Sequence, residues 1–524
     1  MRVCNFLIPN LVLAGAAVAA PSDATKRACK EISNALPKRL SYPLSLHYSS
    51  ETSEYWSTLL RSQKPACVVL PEYAEEVAAA VRILNKYPDV KFTAKSGGHD
   101  PNAGHATVQD GVLIALRNIA GTTYDPGTNL AYVKPGGEWN DVISTLDKQG
   151  VTAVGGRLGI VGVGGYLLQG GVSFLSSQYG LAADSIVGWE IVAANGSIIN
   201  VDAKTQPELA VALRGSGSQF GIVTQFTINA HPTGKVWGGI RIYESTQKDA
   251  VFKALHNFVP NGQADPKAAI IVTNIVSALK PLSFIIFYFY DGERHPDSGP
   301  LAEFLKIPYL VSQTSAQSYP DLTCSSSQTA PAHHCLIPEY PFEYDIYKAI
   351  EWGMANSSSK TFTIPYLSGN PGIYKQISDK MGELTANYFK NPLHLTAQCS
   401  VDFQPLPKTV GRMSQASGGN AMGLTDQDPD RLILEIQCAW GSAKDDEILM
   451  GISRDLTSWL DIVVPEWLSE QQQPLDTYLP LFMNDASADQ NVTGSYRNYE
   501  KFKTLQLQYD PQGTLRTRTG GFKY

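Results

Sequence analysis

The clearest indication of the fold lies in residues 67–105, which read CVVLPEYAEEVAAAVRILNKYPDVKFTAKSGGHDPNAGH. CVVL at its start is short and β-branched, which is typical of a buried strand. Residues 71–87 carry apolar side chains at helical spacing, with Pro71 and acidic residues in the first turn, and this predicts a helix. DVKFTA is a second strand. A strand–helix–strand unit therefore leads the chain into the glycine-rich loop KSGGHDPNAGH at 95–105.

Two more glycine-rich loops follow, at 155–171 and 214–223. Glycine reaches positive φ and lets backbone N–H groups approach a ligand closely, and consecutive N–H groups form an anion-binding nest. Three such loops suit a long ligand with a pyrophosphate, that is, a dinucleotide. Turn formation is the alternative for any single loop. The dinucleotide motif of Rossmann folds is excluded, because the series Gly162, Gly164, Leu167 lacks its third glycine.

An ordered set of motifs carries a family resemblance. They are SGGH at 96–99, VGVGG at 161–165, YGLAADSI at 179–186, RGSGSQFGIVTQF at 214–226, LEIQCAW at 434–440, YRNYE at 496–500 and YDPQG at 509–513. Together they resemble the berberine-bridge-enzyme-like oxidases of the vanillyl-alcohol-oxidase/p-cresol-methylhydroxylase superfamily, over nearly the whole chain after its N-terminal segment. The resemblance implies FAD as cofactor, bound in an extended form with its phosphates on the glycine loops.

The resemblance also implies a covalent bond from His99 to the 8α-methyl group of the flavin. Such a bond raises the flavin's potential and fixes its ring. The other implied cofactor-binding residues are Lys95, Ser96, Gly97, Gly98, Asp100, Gly104, His105, Val161, Gly162, Gly164, Gly165, Gly170, Gly171, Gly221, Ile222, Val223 and Asn498. Hydrogen bonding within a turn is the alternative for His99. A metal pair of His99 with His105 lacks a third ligand, and no metal is expected.

Two positions refine the expectation. The family often has a second tether, a cysteine, where this chain has Leu158, so a single bond at His99 is expected. The Arg157-Leu158 pair resembles fungal secondary-metabolite members rather than carbohydrate oxidases. Val161 lies where the family is thought to gate oxygen, and a valine leaves room, which favours an oxidase that releases H2O2.

The candidate catalytic residues lie near the C-terminal end. Glu435 and Gln437 are two apart on a strand and therefore share a face, which the family turns toward the substrate. Glu435 is a candidate base, with a solvent-facing strand as the alternative. The family also places a tyrosine of the YRNYE motif near the flavin, often as the base; the spacing leaves Tyr496 and Tyr499 as equal candidates.

The fold class expected is α+β, with a two-lobed FAD-binding domain of the p-cresol-methylhydroxylase type and a substrate domain whose antiparallel sheet is covered by helices. The expected boundaries are 1–20 for a signal peptide, 21–236 for the FAD domain, 237–475 for the substrate domain and 476–524 for a segment returning to the FAD domain. Arg2 and the apolar run that follows, ending in small residues before Pro21, predict a protein that is either secreted or kept in the lumen of the secretory pathway.

An oxidising secretory compartment favours disulfide bonds and allows N-glycans at Asn-X-Ser/Thr sequons. Disulfides are expected for Cys29–Cys67 and Cys324–Cys335, with zinc at His333 and His334 as a poorly spaced alternative to the second. Cys438 is expected as a buried free thiol. Sequons at Asn195, Asn356 and Asn491 predict glycans.

Composition limits the partners. The net charge of −7 argues against nucleic acid and an anionic membrane surface. The expected partners are a small-molecule substrate and O2, for a monomer free of the membrane once the signal is cleaved. The expected reaction removes hydride from a C–H next to a heteroatom of a small secondary metabolite, with cyclisation of the product as an option. An oligosaccharide oxidase and an inactive flavin-binding protein are the alternatives.

Overall fold

The first of three main sheets is built from the N-terminal part of the chain. The computed structural model describes residues 20–278, 282–326, 355–395 and 397–524. Strands β2, β4 and β3 run parallel in that order, and β1 lies antiparallel beside β2. The elements are β1 (Leu40–Ser41), β2 (Cys67–Val69), β3 (Phe92–Lys95) and β4 (Val112–Ala115), with helices α1 (Asp23–Ala35), α2 (Leu46–Ser53) and α3 (Ala74–Leu84). The predicted strand–helix–strand unit is confirmed as β2–α3–β3, so the loop containing His99 begins at the carboxyl end of a parallel strand.

A second sheet is antiparallel, in the order β5-β6-β10-β8-β9. Its predicted hairpin at Asn195-Gly196 is confirmed, since β8 pairs with β9 and Gly196 has φ +79°. The sheet and its neighbours comprise β5 (Thr122–Asp125), β6 (Leu130–Val133), β7 (Val151–Thr152), β8 (Ile186–Val192), β9 (Ile198–Asp202), β10 (Ile222–Asn229), β11 (His231–Pro232), α4 (Trp139–Asp147), α5 (Val163–Leu168), α6 (Ser176–Tyr179) and α7 (Pro207–Leu213). The short strand β7 pairs with β11.

A third, antiparallel sheet follows the order β15-β12-β14-β13-β18-β19-β17, with β16 beside β12. Its strands are β12 (Val236–Glu244), β13 (Ala268–Ser277), β14 (Leu282–Tyr290), β15 (Val311–Ser312), β16 (Ser315–Gln317), β17 (Asn356–Pro365), β18 (Gln398–Leu406) and β19 (Arg431–Trp440). The helices from here to the C-terminus are α8 (Lys248–Asn261), α9 (Ala302–Leu305), α10 (Tyr319–Ser326), α11 (Ile373–Phe389), α12 (Lys408–Ala416), α13 (Asp446–Glu470), α14 (Tyr499–Tyr509) and α15 (Thr514–Arg518).

The two faces of the third sheet differ in chemistry, because side chains alternate along each strand. One face carries Val272, Phe403 and Leu434 into a core shared with α8, α11 and α13. The neighbouring residues Thr273, Asp402 and Glu435 point to the other face, which borders a cavity. The predicted α+β class, with an antiparallel sheet covered by helices, is therefore confirmed.

The C-terminal segment returns to the first two sheets. Leu515 joins the core of the first sheet, and Phe502 joins that of the second. Arg518 donates to the backbone carbonyls of Leu84 and Val90, at the end of α3 and before β3. The tail is thereby positioned to close one side of the cavity.

The disulfides correct one expectation. Cys29 is bonded to Cys67 as predicted, joining α1 to β2. The expectation of a free thiol at Cys438 is wrong, because Cys438 is bonded to Cys399, directly opposite it on β18. Cys324 is disulfide-bonded, and its expected partner Cys335 lies outside the described residues. His333, His334 and the N-terminal segment 1–19 also lie outside them.

Candidate active site

A cavity of about 350 Å³ separates the glycine-rich loops from the third sheet. Its walls come from the three loops, from the free face of the third sheet, from residues 482–485 and from the tail at 521–522. This volume lies at the lower end of the range of small-molecule sites, roughly 300–1,000 Å³. The cavity thus gathers parts of the chain that lie far apart in sequence.

The first two glycine loops touch through bare backbone. A Cβ at Gly97 would lie 2.6 Å from the Cα of Gly162, and a Cβ at Gly162 would lie 2.4 Å from the nitrogen of Gly97. The Ser96 hydroxyl locks the contact, because it accepts from the Gly164 N–H at 3.1 Å and donates to the Pro135 carbonyl. Only glycine fits both positions. The resulting wall presents main-chain groups to the cavity, as an extended cofactor requires.

His99 is the half-buried imidazole of this wall. Its ring centroid lies 5.3 Å from that of Trp56. Burial lowers the pKa of His99 to about 4, against a weaker opposing effect of Asp100. The imidazole is therefore neutral at neutral pH and keeps the nitrogen lone pair that bonding to carbon requires.

Asp100 and His105 support the loop just after His99. The Nδ1 atom of His105 lies 2.9 Å from Oδ2 of Asp100, and the Asn102 backbone N–H donates to Oδ1. Burial opposes the charge on Asp100, but the bonds from His105 and Asn102 outweigh it and lower the pKa of Asp100. The His105 ring meets Phe522 of the tail edge-on at 4.9 Å. The loop is thus held from both sides.

Most of the predicted cofactor-binding residues meet at this cavity. Those lining it are Ser96, Gly97, Gly98, His99, Asp100, His105, Val161, Gly162, Gly164, Gly165, Gly221, Ile222 and Val223. Leu158, at the expected second tether position, also lines it and offers no nucleophile.

Five predicted cofactor-binding residues lie away from the cavity lining. The Lys95 ammonium is buried behind the loop, where it pairs with Glu51 at 3.2 Å. Gly104 packs under Gly520 of the tail, and Gly171 packs against the Tyr166 ring. Gly170 and Asn498 are likewise outside the lining. All three glycines have positive φ, and at Gly171 a Cβ would also lie 2.6 Å from the Tyr166 ring.

The free face of the third sheet presents a row of polar side chains. Thr273 pairs with Asp402, which pairs with Glu435 across β13, β18 and β19. The adjacent row pairs Ser400 with Gln437. Glu435 and Gln437 therefore share a face, as predicted, and both line the cavity. Sequence reasoning missed Asp402, although the alternation in SVDFQ carries the same signal as that in LEIQ.

Burial raises the pKa values of the carboxyls in this row and makes Asp402 a candidate proton acceptor. It raises the pKa of Asp402 to about 7 and, with help from Asp485 and Asp402, raises the pKa of Glu435 well above its ordinary value. Burial also raises the pKa of Asp485, and the Arg157 guanidinium opposes the rise for all three carboxyls. A carboxyl with a pKa near neutrality can accept a proton and release it again.

The predicted catalytic tyrosines are not at the cavity. Tyr496 is buried beside Met483 in the core of the second sheet, and burial raises the pKa of Tyr496 well above its ordinary value. Tyr499 begins α14, where its ring lies 5.8 Å from that of Tyr524. Within the described residues, the cavity lining contains neither tyrosine.

The segment Phe482–Asp485 reaches the cavity from that end of the chain instead. Asn484 accepts from the Gly171 N–H at 3.0 Å and donates to the Tyr166 carbonyl at 3.3 Å, which joins the segment to α5 and the second glycine loop. Met483–Asp485 form a single 3₁₀ turn, which is too short for a periodic pattern in the sequence, so spacing alone could not find these residues.

Neither a metal centre nor a membrane span is found in the part of the chain that the structure describes. Over those ranges, no three histidine, cysteine or acidic residues group as metal ligands would. Within the same ranges, every helix is too short or too polar to cross a bilayer.

Comparisons with known proteins agree with this geometry. The model of the FAD binding domain family matches residues 65–202. An uncharacterized FAD-linked oxidoreductase of Arthroderma benhamiae is 32% identical over 486 residues, covering 92% of this chain and 91% of that protein. The FAD-dependent monooxygenase sdcF of Emericella nidulans is 30% identical, covering 94% of this chain and 98% of that one.

Solved structures share the fold. Physcomitrella patens BBE-like 1 has a TM-score of 0.67 at 18% identity, covering 93% of this chain and 97% of that chain. The xylooligosaccharide oxidase of Myceliophthora thermophila C1, solved with xylobiose, has a TM-score of 0.69 at 19% identity, covering 96% and 99%. The fold and the relatives together define an FAD-linked oxidoreductase. The chain belongs to the family of its fungal FAD-linked oxidoreductase relatives, and its fold is the one seen in the berberine-bridge-enzyme-like protein.

Proposed function

We propose that this FAD-linked oxidoreductase is an oxidase that holds its flavin through one covalent bond, at His99, and removes hydride from a C–H next to a heteroatom of a small metabolite. The observation that carries the proposal is the opposition of two walls. A neutral imidazole on a glycine wall stands on one side of the cavity, and buried carboxyls stand on the other.

Each group of cavity residues has a separate role in the proposed reaction. Bound FAD supplies the hydride acceptor. The glycine wall at 96–98 and 162–165 holds the cofactor by its backbone, and His99 fixes the ring. Asp402 takes the proton from the substrate's hydroxyl or amine, which its pKa of about 7 permits near neutral pH, and the predicted base Glu435 lies directly opposite it on β19. Gln437 orients the substrate beside them.

A single tether is supported by what surrounds His99. Leu158 faces the same cavity without a nucleophilic atom. The neutral imidazole of His99 is the group on the glycine wall suited to bond carbon. The carboxyls of Asp402 and Glu435 lie on the opposite wall. The second imidazole of the glycine wall, His105, is engaged with Asp100 and Phe522. An inactive flavin-binding protein is disfavoured, because the cavity retains Asp402, whose pKa of about 7 suits proton transfer.

Reoxidation by O2 with release of H2O2 is supported by Val161, which lines the cavity with a small side chain. Relatives such as sdcF are named monooxygenases, so oxygen insertion is the competing outcome. A carbohydrate oxidase is the other candidate, favoured by the fold shared with the xylooligosaccharide oxidase. Ile240, Ile285 and Phe287 form an apolar part of the cavity, which favours a less polar substrate than a sugar.

The domain division and the secretory route complete the proposal. We assign residues 21–236 and 476–524 to the FAD domain and 237–475 to the substrate domain. The two described disulfides and the exposed sequons at Asn195 and Asn491 support passage through an oxidising compartment. Asn356 is a poor glycan site, because its Nδ2 atom, where the sugar would attach, donates to Asp446 at 2.9 Å.

Peroxide release over a substrate panel tests the proposal. Aromatic and polyketide alcohols and amines should yield H2O2 in proportion to the O2 consumed, and cello- and malto-oligosaccharides should yield little. Turnover of the oligosaccharides alone would overturn the substrate assignment. Oxygen consumed without matching peroxide, with an oxygenated product, would overturn the oxidase assignment.

A further inference from the structure

The third-sheet wall of the cavity is divided into an apolar and an acidic half. β12, β13 and β14 contribute Ile240, Ile271, Ile285 and Phe287. β18 and β19 contribute Ser400, Asp402, Gln404, Glu435 and Gln437, and Asp485 joins them from the segment at 482–485. A ligand that covers this wall therefore needs one apolar end and one polar end.

The polar half has an excess of hydrogen-bond acceptors. Gln404 is 2% exposed, and its Nε2 donates to Oδ2 of Asp485 at 3.0 Å, which fixes the orientation of the amide. Its buried Oε1 has no hydrogen-bond donor. The buried Oδ1 of Asp402 also has none. Buried acceptors without a partner are costly, and a donor from a ligand would remove that cost.

The charges of this half are also unbalanced. Within the described residues, the Arg157 guanidinium is the cation that acts on all three carboxyls, Asp402, Glu435 and Asp485. The other titratable groups that line the cavity in the described residues are His99 and the Asp100–His105 pair, on the glycine wall, and Tyr166, whose pKa burial raises so that its hydroxyl carries no charge. A second positive charge would compensate the carboxyls further, whereas an anion would have to compete with them for Arg157.

We infer that the substrate is an amine that binds as a cation, with its N–H groups on Asp402, Glu435 and Gln404 and an apolar, aryl-sized body on Ile240, Ile285 and Phe287. This inference rests on the proposed function, since it names the heteroatom next to the oxidised C–H as nitrogen. It concerns binding, so no bond is made or broken in the step it describes.

The raised carboxyl pKa values add a measurable consequence. Near pH 6.5 part of the cluster is protonated, because the pKa of Asp402 is about 7. A bound cation favours the ionised carboxylate, so binding should release protons. An uncharged ligand of the same shape has no such effect.

Isothermal titration of the flavin-loaded protein with three matched probes tests the inference. The probes are N-methyl-2-phenylethylamine, 2-phenylethyl methyl ether and 3-phenylpropanoate, which are a cation, a neutral molecule and an anion. At pH 7.5 the amine should bind at least about tenfold more tightly than the ether and more tightly than the anion. At pH 6.5 its heat of binding should vary with the ionisation enthalpy of the buffer.

Variants assign the effect to the carboxyls. Asp402→Asn and Glu435→Gln should each reduce the preference for amine over ether severalfold, and the double variant should reduce it to within about threefold. Asp455→Asn, an exposed carboxyl on α13, is the matched control and should keep the preference. Flavin absorbance and melting temperature verify that each variant is folded and loaded.

The results separate this inference from the proposed function. An ether or anion that binds as tightly as the amine overturns the inference, as does a preference that survives the double variant. Peroxide release on alcohols, with no amine preference, would leave the oxidase assignment intact while rejecting the amine. An amine preference without peroxide release would do the reverse.

Discussion

At the scale of single residues, the placement of Asp402 predicts an unusual dependence of stability on pH. Burial raises the pKa of its carboxyl to about 7 in the folded protein, from an ordinary value near 3.8. A group whose pKa rises on folding contributes stability that is fully present below the lower value. This contribution is lost as the pH rises through about 7.

Asp402→Asn should therefore gain stability over the parent protein as the pH rises from 5 to 8. The amide resembles the protonated carboxyl and carries no cost of ionisation. Melting temperatures of both proteins across this range provide the test. Asp455→Asn serves as the control, and its difference from the parent should stay flat. A gain for Asp402→Asn that is largest at pH 5 would contradict the burial argument.

Gly97 makes a second residue-scale prediction. A Cβ at this position would lie 2.6 Å from the Gly162 Cα, which is backbone and cannot rotate away. Gly97→Ala should separate the two loops and lower the flavin content several-fold, read as the ratio of flavin to protein absorbance. Gly234→Ala is the matched control, because a Cβ there meets no atom within 4 Å. A Gly97→Ala protein with full flavin content would contradict the role proposed for the glycine wall.

At the scale of elements, β18 and β19 hold the acidic half of the cavity together. The Cys399–Cys438 disulfide joins them as a direct cross-strand pair, one residue from the Ser400–Gln437 row. Cys29–Cys67 spans a nearly equal separation, 38 residues against 39, on the first sheet. The two bonds therefore form a matched pair for measurement.

Replacing either disulfide by two alanines should cost about 2–4 kcal/mol in the free energy of unfolding, because the closed loops have similar lengths. Denaturant titration measures this cost. Only the Cys399→Ala/Cys438→Ala protein should also bind amine ligands more weakly, since its acidic row is loosened. An equal loss of ligand affinity in both double variants would show that β18–β19 pairing does not position the row.

At the scale of the whole molecule, the features that the sequence predicted are those determined by residues near one another in the chain. Periodicity predicts the β2–α3–β3 unit, and turn chemistry predicts the Asn195-Gly196 hairpin. The ordered motifs point to Gly97 and Gly162 of the glycine wall. These features depend on residues close together in the chain, or on backbone freedom that glycine alone supplies.

The rest required the assembled structure. Cys438 finds Cys399 only through the register of two strands, and Asp402 faces Glu435 for the same reason. Tyr496 lies in the core of the second sheet, while the segment at 482–485, which contains a one-turn 3₁₀ helix, lines the cavity. A wall built from distant segments has no single local signature in the sequence.

Peptide mass spectrometry tests whether one covalent bond, at His99, holds the flavin. The protein is precipitated with acid, digested and searched for the fragment containing residues 96–105. We predict a yellow pellet, the mass of FAD attached to His99, and no flavin on any fragment containing Leu158; His99→Ala should leave the pellet colourless. Flavin recovered in the acid supernatant, with an unmodified His99 fragment, would contradict the account.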